Sequence, residues 1–506
     1  MREILIILTI SVVFSMLSCS VETKKSSGND GDILLDDSDT AETDELVSAD
    51  GDVAETDESV SADSDNAEPD EVTSSDGDVV ETDDDLGVPD DFVDEDDVDL
   101  SDEDIDLLPP DTNHTTVQWG TDKGDIALSL ALDQTGNIYM VGNTEGNLDG
   151  EINSGMADIF LTKFDSYGNK LWTKLYGTEK TDYGRFVKVD SSGNIYITGY
   201  TEGDFDGNGN KGGLDVVLMK LDKDGETQWI RQIGTEGADI GSSIVFDNSE
   251  NIYIFGYMEG SFDGSLYTGN TDAFAAKFSD AGTLIWFKEW GSDEYDSAAT
   301  AVFHSGYIYV PGFSGGDIGG TGFLGGYWDA FLTKMDADGN ISWTKQWGTA
   351  GSDAAYSLQL DSASDIFICG SVGMEAELDY SVSVTKFSDD GDLDWIESWG
   401  SGYMTGGNNM ISDEFGNFYI SGIAGDDFDG YKNAGSLDVF LIKLDSSGKK
   451  MWTKLFGGEG AEMSSSSLID KYGNIYVAGS TESDLDGHTN SGGYDIFLTK
   501  FNAEDL

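Results

Sequence analysis

Seven aromatic residues recur along this chain at almost constant spacing: Tyr139, Tyr196, Tyr253, Tyr309, Phe367, Tyr419 and Tyr476. The first two steps are 57 residues each, and the shortest, from Phe367 to Tyr419, is 52. In the best-formed copy the aromatic closes the tetrapeptide Gly193-Asn194-Ile195-Tyr196. A tandem period of this length constrains the fold more than any local propensity, because each unit must bury its apolar face against its neighbours.

The unit Asp182 to Gly234 shows how one copy is built. Arg185 to Val189 alternates polar and apolar residues, as a half-buried strand does. Asp190 to Gly193 has the composition of a tight turn, and Ile195 to Thr198 is rich in strand formers. A long Gly, Asp and Asn segment follows, Gly199 to Gly213. Val216–Leu221 reads as a third strand, Asp222–Gly225 as a turn and Gln228–Ile233 as a fourth strand. Four short strands per unit, with no capped helical period, predict an all-β fold: a seven-bladed β-propeller of four-stranded antiparallel blades. The last unit ends after its third strand, Asp495–Phe501, while Thr115–Gly120 is a fourth strand with no unit before it. Trp119-Gly120 matches Trp290-Gly291, Trp347-Gly348 and Trp399-Gly400. The N-terminal strand is therefore expected to complete the last blade and leave no open sheet edge. First strands rich in small residues, such as Gly241-Ser242-Ser243 and Ser464 to Ser467, suit the crowded axis.

The N-terminus is different in kind. Residues 1–18 read as a signal peptide, with Arg2 before a short apolar run from Ile4 to Leu17. Met16-Leu17-Ser18-Cys19 resembles a bacterial lipoprotein signal, which implies a membrane anchor through lipidated Cys19. Ser20, where Asp would favour inner-membrane retention, points to the outer membrane or cell surface. Residues 19–113 read as a disordered acidic linker, and no Lys or Arg occurs between Lys25 and Lys123. Residues 114–506 form the propeller. Cys369 is the one other cysteine, so lipidation of Cys19 leaves no intramolecular disulfide, and Cys369 is expected to be a buried strand thiol. A net charge of −73 excludes nucleic acid as a partner and favours cations or polybasic partners.

In a meander, the long second-to-third loops share one face with the links between blades, and variable loops on a rigid scaffold are where function gathers. Two acidic patterns converge there. Asp125, Asp182, Asp239, Asp296, Asp353 and Glu462 begin the first strands, with Thr405 in the sixth unit. They are expected either to ring the axial channel and draw in a cation, or to cap their own inter-blade turns. The second pattern is a loop Asp-Gly followed nine residues later by an Asp opening the third strand. Its candidate ligands are Asp149 and Asp158; Asp204, Asp206 and Asp215; Asp263 and Asp272; Asp427, Asp429 and Asp438; and Asp484, Asp486 and Asp495. Clustered oxygen ligands beside a sharp glycine bend suit Ca²⁺, the one cofactor considered. The competing reading is that Phe or Leu plugs between blades while Asp and Gly shape the turn. Unit four has Gly319 in place of the loop Asp, and unit five is shortened to Asp379-Tyr380 with no third-strand Asp. His114, His304 and His488 are scattered, and no catalytic set emerges.

With these residues in view, the array resembles the SBBP family of bacterial β-propeller repeats. The resemblance rests on GNIYITG, the long Asp-Gly loop, DIFLTKFDSYG and LWTKLYG, and covers Thr115 to Phe501. It implies a propeller on an exported protein. Leu221 to Trp229 is also similar to the tryptophan motif of quinoprotein propellers, but those usually have eight blades and often paired cysteines. The expected function is a monomeric, non-enzymatic binding propeller on the cell envelope. Its loop face would bind Ca²⁺ and a protein or glycan through Tyr267, Tyr327, Trp328 and Tyr431. A polysaccharide hydrolase or lyase using face carboxylates, and a structural surface protein without a discrete ligand, are the alternatives.

Overall fold

The computed structural model describes residues 108, 113–265, 267–320, 322–373 and 379–503. The signal peptide, Cys19 and nearly all of the acidic linker lie outside the described residues. The rest is a seven-bladed all-β propeller, with each blade an antiparallel sheet and no α-helix among the described residues. The second blade is Asp182–Val189, Ile195–Thr201, Asp215–Leu221 and Thr227–Ile233, in that spatial order from the axis outward. The fourth blade differs in that its first strand is split into Asp296–Ala298 and Val302–His304. In the blade built from Glu462–Ile469, Ile475–Thr481 and Asp495–Phe501, the outer strand is Thr115–Trp119. Thr115 lies opposite Lys500 and Trp119 opposite Ile496.

The turns form where their side chains can satisfy the backbone. Asp190 Oδ1 accepts from the amides of Ser192 and Asn194 (2.9 and 2.8 Å), and Oδ2 accepts from the Asn194 side chain (2.7 Å). Gly193 takes φ of 84°, which a side chain would strain. The first strands carry a bulge at one repeated place, for example between Gly241 and Ser243. A serine there stitches neighbouring blades: Ser129, Ser243 and Ser357 accept from the amides of Val187, Ala301 and Met410, and Ser466 accepts from Leu130. The last of these joins the seventh blade to the first.

The cores lie between blades rather than within them. Phe160 and Met140 of the first blade pack in one cluster with Tyr476, Ala478 and Leu498 of the seventh. The repeated aromatics are buried, and five of them meet an outer-strand tryptophan: Tyr139, Tyr196, Tyr253, Phe367 and Tyr419 against Trp172, Trp229, Trp286, Trp395 and Trp452. Each also carries a lysine over its ring, from Lys163 on Tyr139 (4.8 Å) round to Lys500 on Tyr476 (5.5 Å). These third-strand lysines lie close to sheet interiors, where a cation over an aromatic face contributes about 0.5–2 kcal/mol.

Candidate functional site

The first-strand acids cap their own inter-blade turns. Asp125, Asp182, Asp239, Asp296, Asp353 and Glu462 are fully or almost fully buried and point into the junctions between blades. Asp182 Oδ2 accepts from the amide and hydroxyl of Thr178 (2.5 and 2.9 Å), and Thr201 donates to its other oxygen. Thr121, Thr235, Ser292 and Thr349 do the same for Asp125, Asp239, Asp296 and Asp353, and Gly458 donates to Glu462 (2.6 Å). The inter-blade turn leaves an amide facing inward, and a short acid four residues on satisfies it.

The third-strand acids cap the loops behind them. Oδ2 of Asp158, Asp215, Asp272, Asp438 and Asp495 accepts from the amides of Ser154, Lys211, Thr268, Ala434 and Ser491, at 2.7 to 3.1 Å. Asp329 does likewise for Leu324 (2.7 Å), a member of the set that the sequence reading omitted although it opens DAFLTKM. The Oδ1 atoms of Asp158, Asp215, Asp329, Asp438 and Asp495 are buried with no hydrogen-bond partner among the described residues.

The two sets meet. A Cβ placed on Gly291 would stand 2.7 Å from both Asp272 Oδ1 and Asp296 Oδ2; on Gly348 it would stand 2.7 Å from Asp353 Oδ2 and 2.8 Å from Asp329 Oδ1. Gly120, Gly234 and Gly457 are flanked the same way by Asp495 and Asp125, Asp215 and Asp239, and Asp438 and Glu462. Each acid of one blade thus faces an acid of the next across a glycine. Burial pushes Asp125, Asp239, Asp296, Asp353 and Asp438 up to about 6 against their hydrogen bonds, and the facing acid adds to the rise.

Most of the loop acids are engaged by partners within the protein. Asp149 is held by Lys170 Nζ and the Thr173 hydroxyl (both 2.5 Å), and Asp429 by Lys450 Nζ (2.6 Å) and Thr453. The charge partner of each is therefore a lysine of its own blade. Asp204, Asp427 and Asp484 accept from the amides of Gly207, Asn433 and Asn490. Asp206 accepts from Asn208 and Gln232, and Asp486 pairs with His114 at 3.1 Å. Asp149, Asp263, Asp429 and Asp486 sit at φ of 49 to 55°, a left-handed bend that Asp tolerates. Among the described residues no three His, Cys, Asp or Glu side chains stand together to hold an ion. The residue before each Asp does the packing: Leu148, Phe428 and Leu485 are buried in the inter-blade clusters. Neither millimolar Ca²⁺ nor a chelator is expected to move the melting temperature by more than about 1 °C. A larger shift in a thermal melt would show a cation site that these contacts leave no room for.

Trp328 is also unavailable, buried against Phe313 and Tyr327. Tyr431 is half-buried, its backbone bridged to Leu108, and Tyr267 donates to the Asn270 carbonyl (2.6 Å). Tyr327 is exposed in the same loop set as Ile152, Met156, Phe323, Leu324 and Tyr403. Cys369 is buried, and burial pushes its thiol up to about 12, so it is inert.

Residues 171–206, 228–258 and 452–486 match the family described as "SBBP: Beta-propeller repeat". Three stretches of the propeller are thus β-propeller repeats of the SBBP type. The SBBP-type chain is 26% identical over 264 residues to the regulatory protein FlaEY of Caulobacter vibrioides, covering 46% of this chain and 26% of that one. A WD repeat-containing protein of Acanthamoeba polyphaga mimivirus is 26% identical over 167 residues, 28% of this chain and 12% of its own length. The chain thus spans about a quarter of the first of these relatives and about an eighth of the second. Among solved structures, the WD40 domain of Neurospora crassa Pan2 aligns over 78% of this chain and 97% of its own, at 10% identity and a TM-score of 0.43. The SBBP-type fold suggests a binding or interaction role.

Proposed function

We propose that this protein is a non-enzymatic binding propeller of the bacterial cell envelope, anchored by lipidated Cys19 and engaging its partner with the long-loop face. The observation that carries it is the set of apolar and aromatic side chains exposed on that face: Ile152, Met156, Leu324, Tyr327 and Tyr403. The loops under them are pinned by caps and plugs, so these side chains are presented on a stiff frame, which lowers the entropic cost of binding. An acidic surround favours a partner with basic rim residues.

Two measurements test the halves separately. Cys19→Ser is expected to move the protein from the membrane fraction to the soluble fraction; retention in the membrane would remove the anchor from the proposal. A photo-cross-linking residue placed at Tyr327 or Tyr403 is expected to give a discrete adduct in cells. Tyr167, exposed in a turn on the opposite face, is expected to give none. Equal adducts from both faces, or none from either, would remove the binding face.

A further inference from the structure

A cavity of about 170 Å³ stands at the junction of the fourth and fifth blades. Elsewhere three side chains fill this position. The loop supplies an apolar plug: Leu148, Phe205, Phe262, Ile318, Phe428 or Leu485. The third strand supplies Phe160, Phe274, Phe331, Phe440 or Phe497, opposite a second-strand glycine, with Val217 in the second blade. The outer strand opposite that residue supplies Leu175, Gln232, Glu289, Gln346, Leu455 or Gln118. In the fifth blade the third-strand residue opposite Gly370 is Ser383, and the outer-strand residue opposite Ser383 is Ser398.

Two serines in place of larger fillers line a cavity of defined chemistry. Ser371, Ser383, Thr385 and Ser398 line it with hydroxyls, while Trp347 and Ile368 give it an apolar wall. No lysine or arginine lines it. Its one carboxylate, Asp353, already accepts from Thr349 and Gly373 and disfavours an anion. A cavity near 150 Å³ holds one six-membered ring. Hydroxyls beside an apolar wall suit a ring with a polar edge and a C–H face.

We infer that the junction between the fourth and fifth blades is a binding site for a small neutral polyol, of the size of a single sugar ring. This site stands on residues other than those of the loop-face reading and does not depend on it.

The test uses the full chain in thermal melts with glucose, galactose, N-acetylglucosamine and myo-inositol, beside Ser383→Phe. That variant restores the residue present in five other blades. It is expected to melt higher than the wild type, because the ring fills the cavity, and to lose the ligand response. At least one probe is expected to raise the wild-type melting temperature by about 3 °C more than that of Ser383→Phe. The difference is what counts, since sugars at high concentration stabilise any fold. Should Ser383→Phe fail to fold, Ser398→Leu takes its place, with the leucine found in the first and sixth blades. Equal shifts in wild type and variant, no shift from any probe, or a crystal structure with water or the chain's own side chains in the cavity at saturating probe would each overturn the inference.

Discussion

Acidification from pH 8 to pH 5 is expected to raise the melting temperature of the propeller by roughly 10 °C. The direction follows from the paired junction acids. Burial holds Asp125, Asp239, Asp296, Asp353 and Asp438 at about 6 in the folded chain, against an ordinary value of 3.8. Between those values the folded state binds more protons than the unfolded one, so stability increases as pH falls through 6 and the gain is complete near 4. The hairpin-turn acids work the other way. Side-chain and backbone donors hold Asp133, Asp165, Asp247, Asp336, Asp413 and Asp445 below the ordinary value. Their contribution is present above it and is lost as pH falls further. Stability is therefore expected to peak between pH 4 and 6. Melts at unit pH steps from 8 to 3 read this directly, and a monotonic fall from 8 to 5 would sink it. Asp215→Asn isolates the part of the rise that comes from the facing acid. Its amide oxygen can still cap Lys211, while its nitrogen faces Asp239 as a donor in place of a like charge. The variant is expected to melt higher than wild type at pH 8 and to respond less steeply to acid.

The blades were legible because each carries its own signals. Periodic aromatics, Asp-x-x-Gly-Asn turns and alternating strands act over a few residues, and the third-strand acids could be read from position alone. The function of those acids could not. Asp158 and Asp182 are each explained locally as a cap, and only the stacking of one blade on the next shows that they face each other. The loop Asp-Gly motif looked like a cation cage because sequence displays oxygen ligands. It does not display that Lys170 or Lys450 crosses from the outer strand to occupy Asp149 or Asp429. The Lys in each third strand was visible seven times over, yet a strand lysine reads as solvent-facing until the aromatic beneath it is placed. In the fifth blade the sequence shows a shortened unit with no third-strand Asp. That Ser383 lines a cavity depends on what the neighbouring strands supply, which no single repeat encodes.

Gly291→Ala is expected to destabilise the propeller by about 3 kcal/mol, far more than a glycine-to-alanine change in an ordinary strand. Its backbone conformation is open to any residue, so the effect cannot come from φ. It comes from the two carboxylate oxygens 2.7 Å from the new methyl group. Neither acid can retreat freely: Asp296 holds the amide and hydroxyl of Ser292, and Asp272 holds the amide of Thr268. Displacing either one breaks a buried cap, at about 1–3 kcal/mol for the donor left behind. Gly207→Ala is the control. It has φ of 82° and open space around it, so only backbone strain of about 1 kcal/mol is expected there. A double-mutant cycle decides whether the carboxylate is responsible. Asp272→Ala alone loses one loop cap and relieves one like-charge contact, so its own effect is small. Combined with Gly291→Ala it removes one of the two obstacles and gives the Asp296 carboxylate room to shift, and the pair is expected to be more stable than the sum of the single changes by at least 1 kcal/mol. Strict additivity in urea melts would mean that the glycine is required for some reason other than the acid pair it separates.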